Sequence, residues 1–225
     1  MKKNNIQGNR DEQEKNRKLT PAEERRLQAF EALSESMLAQ GYRRAELTVG
    51  IVKANVFAVV LLLPLLAIGF GLFLLKNRGL SGSFTPLGPL LFALVLFALI
   101  VVHELIHGLS WSIFAEHHWK DIEFGFMKQY LTPYCTCTVP LSKGQYIFGA
   151  LMPLVVLGLL PMLAGILLGS LPMLLMGIIM ADAAGGDILI VWKILRYRSG
   201  AKDVVYIDHP TQAGGVIFEK QESAG

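Results

Sequence analysis

Apolar and polar residues follow distinct rhythms along this chain, and the longest rhythm is unbroken apolarity. Four stretches, about 49 to 75, 87 to 114, 145 to 169 and 171 to 196, are mainly apolar. A bilayer-spanning helix needs ~20 mainly apolar residues, so each stretch predicts one span. The third and fourth meet at Gly169-Ser170-Leu171-Pro172, which predicts a helical hairpin; three spans plus a re-entrant segment is the alternative. Ahead of them, Leu27, Phe30, Leu33 and Met37 form one apolar stripe behind Thr20-Pro21-Ala22-Glu23, a capping box with proline at the first helical position. An amphipathic helix is expected over about 21 to 40, stopped by Gly41 and lying on the membrane surface or against the rest of the protein. Residues 1 to 19 are expected to be a solvated arm.

Two shorter segments change the period to two. Ile122, Phe124 and Phe126 alternate with Asp121, Glu123 and Gly125, and Cys135, Cys137 and Val139 alternate with Tyr134, Thr136 and Thr138. They predict a small antiparallel hairpin, and Asp203 to Ile207 a further extended piece. The expected fold class is therefore an all-α integral membrane protein: four transmembrane helices, an amphipathic N-terminal helix and a small cytoplasmic β-hairpin. Its organisation is a polar arm over 1–48, a membrane core over 49–197 and a tail over 198–225.

Composition agrees with this class, since 52% of the 225 residues are apolar and 17% charged. A net charge of +3, with no basic cluster interleaved with aromatics, excludes nucleic acid as a partner. The lipid bilayer is the expected surrounding. Only Cys135 and Cys137 are present, one residue apart, so there is no disulfide framework. Charge placement predicts orientation: ten Lys/Arg precede residue 49 and five follow residue 192, whereas the loop from 76 to 86 holds only Lys76 and Arg78. By the positive-inside rule both termini are expected to be cytoplasmic, in a bacterial cell membrane.

Candidate chemistry sits inside the second apolar stretch, at His103-Glu104-Leu105-Ile106-His107. Ionisable groups within a membrane span are costly and mark function by default. On a helix the histidines, at i and i+4, project from one face and can close on one metal ion, and Glu104 stands where zinc peptidases of the H-E-x-x-H type keep their general base. Hydrolytic zinc sites use three protein ligands, so one is missing; nothing after Gly108 continues the motif in the metzincin manner. Depth selects a candidate. At ~1.5 Å per residue, His107 and His103 lie roughly 12 and 18 Å below the cytoplasmic edge, and Asp187 of the fourth stretch roughly 14 Å below it. Asp187 is the expected third ligand, with Ala183, Ala184, Gly185 and Gly186 allowing close helix approach. Asp182, roughly 21 Å deep, is either a residue that orients a ligand histidine or a buried hydrogen-bonded carboxyl. His117 and His118 fit an interfacial position beside Trp119.

These residues predict one zinc ion and hydrolysis of a peptide bond in a membrane protein or peptide, in or next to the membrane near its cytoplasmic face. The strand around Thr136, Cys137 and Thr138 would offer an edge for an extended substrate. The alternatives are a non-catalytic protein with a structural or transport metal site, and a membrane adaptor.

The combination of His103-Glu104-Leu105-Ile106-His107-Gly108, Thr138-Val139-Pro140-Leu141-Ser142 with Tyr146, Met152-Pro153-Leu154, Gly186-Asp187 and Asp208-His209-Pro210 resembles a family of four-span zincin-type membrane peptidases over about residues 42 to 210. Its logic is similar to that of the site-2 proteases, which hold zinc with two histidines and a downstream aspartate. The resemblance implies zinc on His103, His107 and Asp187, with Glu104 as base. Glycine precedes the aspartate here, whereas the site-2 proteases place it after, and no PDZ-like insertion is present.

Overall fold

The computed structural model describes residues 19–79, 86–127 and 132–221. All but the last residue of the expected solvated arm over 1 to 19 lies outside them. Six helices and five strands follow in chain order: α1 Pro21–Ala39, β1 Tyr42–Thr48, α2 Ile51–Asn77, α3 Gly88–Ser112, β2 Ile122–Met127, β3 Thr132–Cys137, α4 Lys143–Leu168, α5 Leu171–Ala183, α6 Gly185–Arg196, β4 Val204–Asp208 and β5 Gly214–Lys220.

The all-α, four-span expectation is corrected by this arrangement. Two antiparallel sheets are present, and among the described residues only α2, α3 and α4 are single helices long and apolar enough to cross a membrane. The stretch 171–196 is two helices, α5 and α6, bent by 47°. The break falls at Ala184, whose φ of −76° and ψ of 6° leave helical geometry just before Gly185-Gly186. Glycine pays the largest backbone entropy in a helix, so a Gly pair is a cheap place to interrupt one. Close packing also favours the break: a Cβ on Gly185 would stand 3.3 Å from Ala58 of α2.

The remaining helices follow local rules. Thr20 and Glu23 form the expected capping box of α1, with the Thr20 amide donating to the Glu23 carboxylate at 2.8 Å. Ser142 and Gln145 make an equivalent box at the start of α4. That helix passes through a π-helical segment at Leu154–Leu159, directly after Pro153, before ending at Gly169, a left-handed cap with φ of 69°. Gly165 and Gly177 bring α4 and α5 into backbone contact, since a Cβ on either would meet the other helix at 2.4 or 2.3 Å. The turn at 169–170 is therefore a tight hairpin. Leu63 and Leu75 of α2, Phe97 of α3 and Leu168 of α4 remain exposed, an apolar surface compatible with lipid.

The two chain ends meet. β1 pairs with β5 from Tyr42↔Lys220 to Thr48↔Gly214, and β5 pairs with β4 from Val204↔Glu219 to Asp208↔Gly215, in the order β1-β5-β4. Phe30 and Met37 of α1 bury against Ile207, Val216 and Phe218 of this sheet, so the amphipathic helix packs on protein. A second cluster joins the sheet to the helices: Trp111 of α3, Cys137 of β3, Tyr146 and Ala150 of α4, Val191 and Ile194 of α6, Tyr206 and Ile217. The separate sheet, β2 with β3, runs from Ile122↔Cys137 to Met127↔Thr132 and lies on α3 at Gly108, where a Cβ would stand 2.7 Å from the Phe124 ring.

Candidate metal centre

The unbroken α3 presents His103 and His107 one helical turn apart, and the break at Ala184 turns the first residues of α6 toward them. Asp187 lies in that first turn. Its Oδ2 is 3.3 Å from His103 Nε2 and 3.5 Å from His107 Nε2, and the two Nε2 atoms are 3.2 Å apart. Nitrogen and oxygen ligands ~2.0–2.1 Å from a tetrahedral zinc ion are separated by about 3.3 Å, so the three donors occupy three corners of such a tetrahedron. They form a cluster able to hold a metal ion, with a fourth corner left for a reactant.

Ring orientation comes from neighbours. His107 Nδ1 lies 2.9 Å from the carbonyl oxygen of Gly149; a carbonyl only accepts, so Nδ1 carries the proton and Nε2 turns its lone pair toward the centre. The same ring stacks on Trp111, with centroids 5.1 Å apart and planes at 16°. Trp111 in turn donates its indole N–H to the Tyr146 carbonyl at 3.1 Å. Gly149 has no room for a side chain, because a Cβ would stand 2.1 Å from the indole. His103 Nδ1 is buried with no hydrogen-bond partner among the described residues.

Glu104 borders the same cavity of about 260 Å³ as both histidines and Asp187. The backbone N–H of Cys135 on β3 faces its carboxylate. The other walls come from the polar ends of the chain: Arg26 of α1 and the tail from Asp208 to Gly214. Arg26, on a helix face that reads as solvent-exposed, is buried. It donates to the Pro210 carbonyl at 2.6 Å and to Tyr134 Oη at 3.0 Å, and pairs with Glu123 at 3.6 Å, tying the hairpin to the tail.

Asp182 sits apart. Among the described residues no hydrogen bond joins it to either histidine, and its Oδ1 is buried without a partner. On β3 the outer edge is displaced from Thr136–Thr138. Cys137 N–H points away from β2, to Asp208 Oδ2 at 2.8 Å, so by antiparallel alternation Thr136 turns its amide inward to β2. Thr138 N–H is held by the Asp121 carbonyl at 2.9 Å. The open part of the edge belongs to Pro133 and Cys135, beside Glu104. His117 pairs with Asp121 at 3.3 Å and His118 Nδ1 lies 3.0 Å from the Ser112 carbonyl, both away from the cavity.

Residues 96–202 match a protein-family model described as "Putative zincin peptidase". Over this segment, just under half of the chain, the protein is similar to that family. The matched segment runs from within α3 to the start of the tail and contains His103, Glu104, His107 and Asp187; its description supports a zinc metallopeptidase, and the geometry brings together three residues that could hold a metal ion. It leaves out α1, β4 and β5, each of which contributes to the cavity wall. No curated protein and no solved structure matches the chain. Burial outweighs all else for the thiols outside the helices, pushing Cys137 up to about 12 and Cys135 higher still, which disfavours the thiolate at both.

Sequence reasoning from the residues did not find Gly149, Arg26 or Asp208. A glycine and a helix-surface arginine carry no local signature of these roles. Tyr146 and Asp208 stood out only through the family resemblance.

Proposed function

We propose that this protein is a membrane-embedded, zinc-dependent peptidase that hydrolyses peptide bonds in or next to the bilayer, near its cytoplasmic face. The observation that carries the reading is the set of three donor atoms 3.2 to 3.5 Å apart with a second carboxylate, Glu104, beside them. One zinc ion held by His103, His107 and Asp187 supplies the Lewis acid that activates a water and polarises the scissile carbonyl. Glu104 takes the proton of the attacking water and returns it to the leaving amine, so that no side-chain nucleophile is needed. The Gly149 carbonyl and the Trp111 ring keep His107 in the tautomer and orientation that ligation requires.

The substrate is a membrane protein or peptide, held extended on the open edge of β3 at Pro133 and Cys135. A strand added there lies next to Glu104. Exposed apolar surface on α2, α3 and α4 supports residence in the bilayer. The pairing of β1 with β5 brings both ends of the described chain to one side of these helices, and their Lys and Arg content favours the cytoplasmic side.

Metal content and product formation test the reading. Glu104→Gln is expected to keep bound zinc and lose about 10²–10⁴-fold in turnover, the usual contribution of a general base. His103→Ala loses zinc and turnover together. Cleavage retained in full by both Glu104→Gln and His103→Ala means that the products do not arise at this centre, which sinks the hydrolase reading and favours a structural or transport site.

A further inference from the structure

We propose that Asp208 is a positioning residue that fixes where a substrate strand begins on β3, and so which peptide bond reaches Glu104; this rests on the peptidase reading above. Asp208 is the last residue of β4, its backbone paired with Gly215, and its carboxylate enters the cavity. Oδ2 accepts the Cys137 N–H at 2.8 Å and Oδ1 accepts the Tyr146 hydroxyl at 2.5 Å. Both oxygens therefore serve neutral donors, and no cation offsets the charge among the hydrogen bonds and ion pairs of the described residues.

What the carboxylate does follows from the edge it occupies. β3 turns the backbone groups of 133, 135 and 137 outward, and Pro133 has no N–H. The outward amides are thus Cys135, which faces the Glu104 carboxylate, and Cys137, which Asp208 takes. An incoming strand can pair at the outward carbonyls of Pro133 and Cys135, beside Glu104, but meets the Asp208 carboxylate at the Cys137 amide and cannot advance past it. Because a strand repeats every second residue, the next register available without this stop is displaced by two residues.

The stop is held rigidly with respect to the metal ligands. Tyr146 is buried, its carbonyl accepts the Trp111 indole, and Trp111 stacks on His107. Asp208, Tyr146, Trp111 and His107 form one chain of contacts from the strand edge to the centre. A carboxylate that merely tied the tail to the hairpin would affect folding and leave the cleavage position alone.

The test compares the wild-type chain with Asp208→Ala, Asp208→Asn and Tyr146→Phe, each full length, zinc-loaded and in detergent, with β-casein as an unstructured probe and mass spectrometry of its products. Asp208→Ala is expected to add cuts displaced by two residues from wild-type sites. Asp208→Asn keeps an acceptor for Cys137 N–H and restores the wild-type set. On a peptide with one cleavable bond the slipped register is unproductive, so in Asp208→Ala kcat and KM fall together, by roughly twofold for two equal registers, while kcat/KM holds; a loosened fold lowers kcat/KM instead. Should Asp208→Ala not fold, Tyr146→Phe, which removes the anchor and leaves the carboxylate, broadens the cut set. The inference is overturned if the folded variants cut at wild-type positions with unchanged kcat and KM, or if Asp208→Asn behaves as Asp208→Ala. Absence of cleavage by the wild-type chain overturns the peptidase reading and this inference with it.

Discussion

α3 and the α5–α6 pair supply the same metal centre by opposite means. α3 is one helix of 25 residues, and its contribution is periodic: residues i and i+4 share a face, so His103 and His107 converge without help from the rest of the fold. The α5–α6 pair is broken, and its contribution depends on the break. A straight helix through 171–196 would carry Asp182 and Asp187 about 140° apart around one axis. The 47° bend instead starts a new helix whose first turn holds Asp187 against both histidines, while Asp182 stays behind at the end of α5. Periodicity suffices for two ligands; the third needs an interruption of regular structure and a neighbour that stabilises it.

Removing a ligand from each helix is the most severe test of this contrast. Asp187→Ala and His107→Ala should each lose zinc, read by metal analysis after dialysis against a weak chelator; stoichiometric zinc in Asp187→Ala would mean that α3 alone makes the site. Gly149→Ala reaches α3 through its support. The new Cβ has to displace Trp111 and with it the His107 ring, and metal affinity is expected to fall about 10–100-fold, the scale for groups that orient a ligand. Gly185→Leu reaches the broken pair. It overpacks the contact with Ala58 and should cost about 1–3 kcal/mol in stability, measured by thermal unfolding in detergent, with weaker zinc binding as α6 shifts. An unchanged affinity would show that the approach of α6 does not depend on this packing.

The smallest effect lies outside both helices, in the sheet made of the chain ends. Burial pushes the Glu219 carboxyl up, but hydrogen bonds from Ser199, Arg43 and Tyr197, with the Arg43 charge at 2.7 Å, more than reverse this and leave it below its ordinary 4.5. Below that value the unfolded chain binds the proton first, so this group's stability is present above pH 4.5 and is lost as pH falls toward the folded-state value. A melting profile of Glu219→Gln should be flatter than wild type over that acid limb. Equal slopes would remove Glu219 from the account.

Local chemistry accounts for what could be read in advance. The capping box of α1, the β2–β3 alternation, the apolar stretches and the H-E-x-x-H pair all follow from residues within a few positions of one another. β1 escaped notice because Tyr42 to Thr48 carries Arg43, Arg44 and Glu46 and no clean apolar alternation; it is a strand because β5 pairs with it and Glu219 meets Arg43. Gly214-Gly215 reads as a loop, yet opens the central strand of that sheet. The segment similar to the family, over 96–202, holds the four candidate residues of the chemistry but not the tail that closes the cavity.

The sequence by itself determined the pair of histidines and their adjacent carboxylate, because a helix places i and i+4 together wherever it forms. Helix rise along the apolar stretches already favoured Asp187 over Asp182; only the tertiary structure decided that 171–196 would bend, how Asp187 would reach the pair, and that Asp208 would cap the edge of β3. Those outcomes depend on contacts between residues from 40 to more than 100 positions apart, such as His107 with Gly149 and Gly185 with Ala58. No local periodicity encodes them.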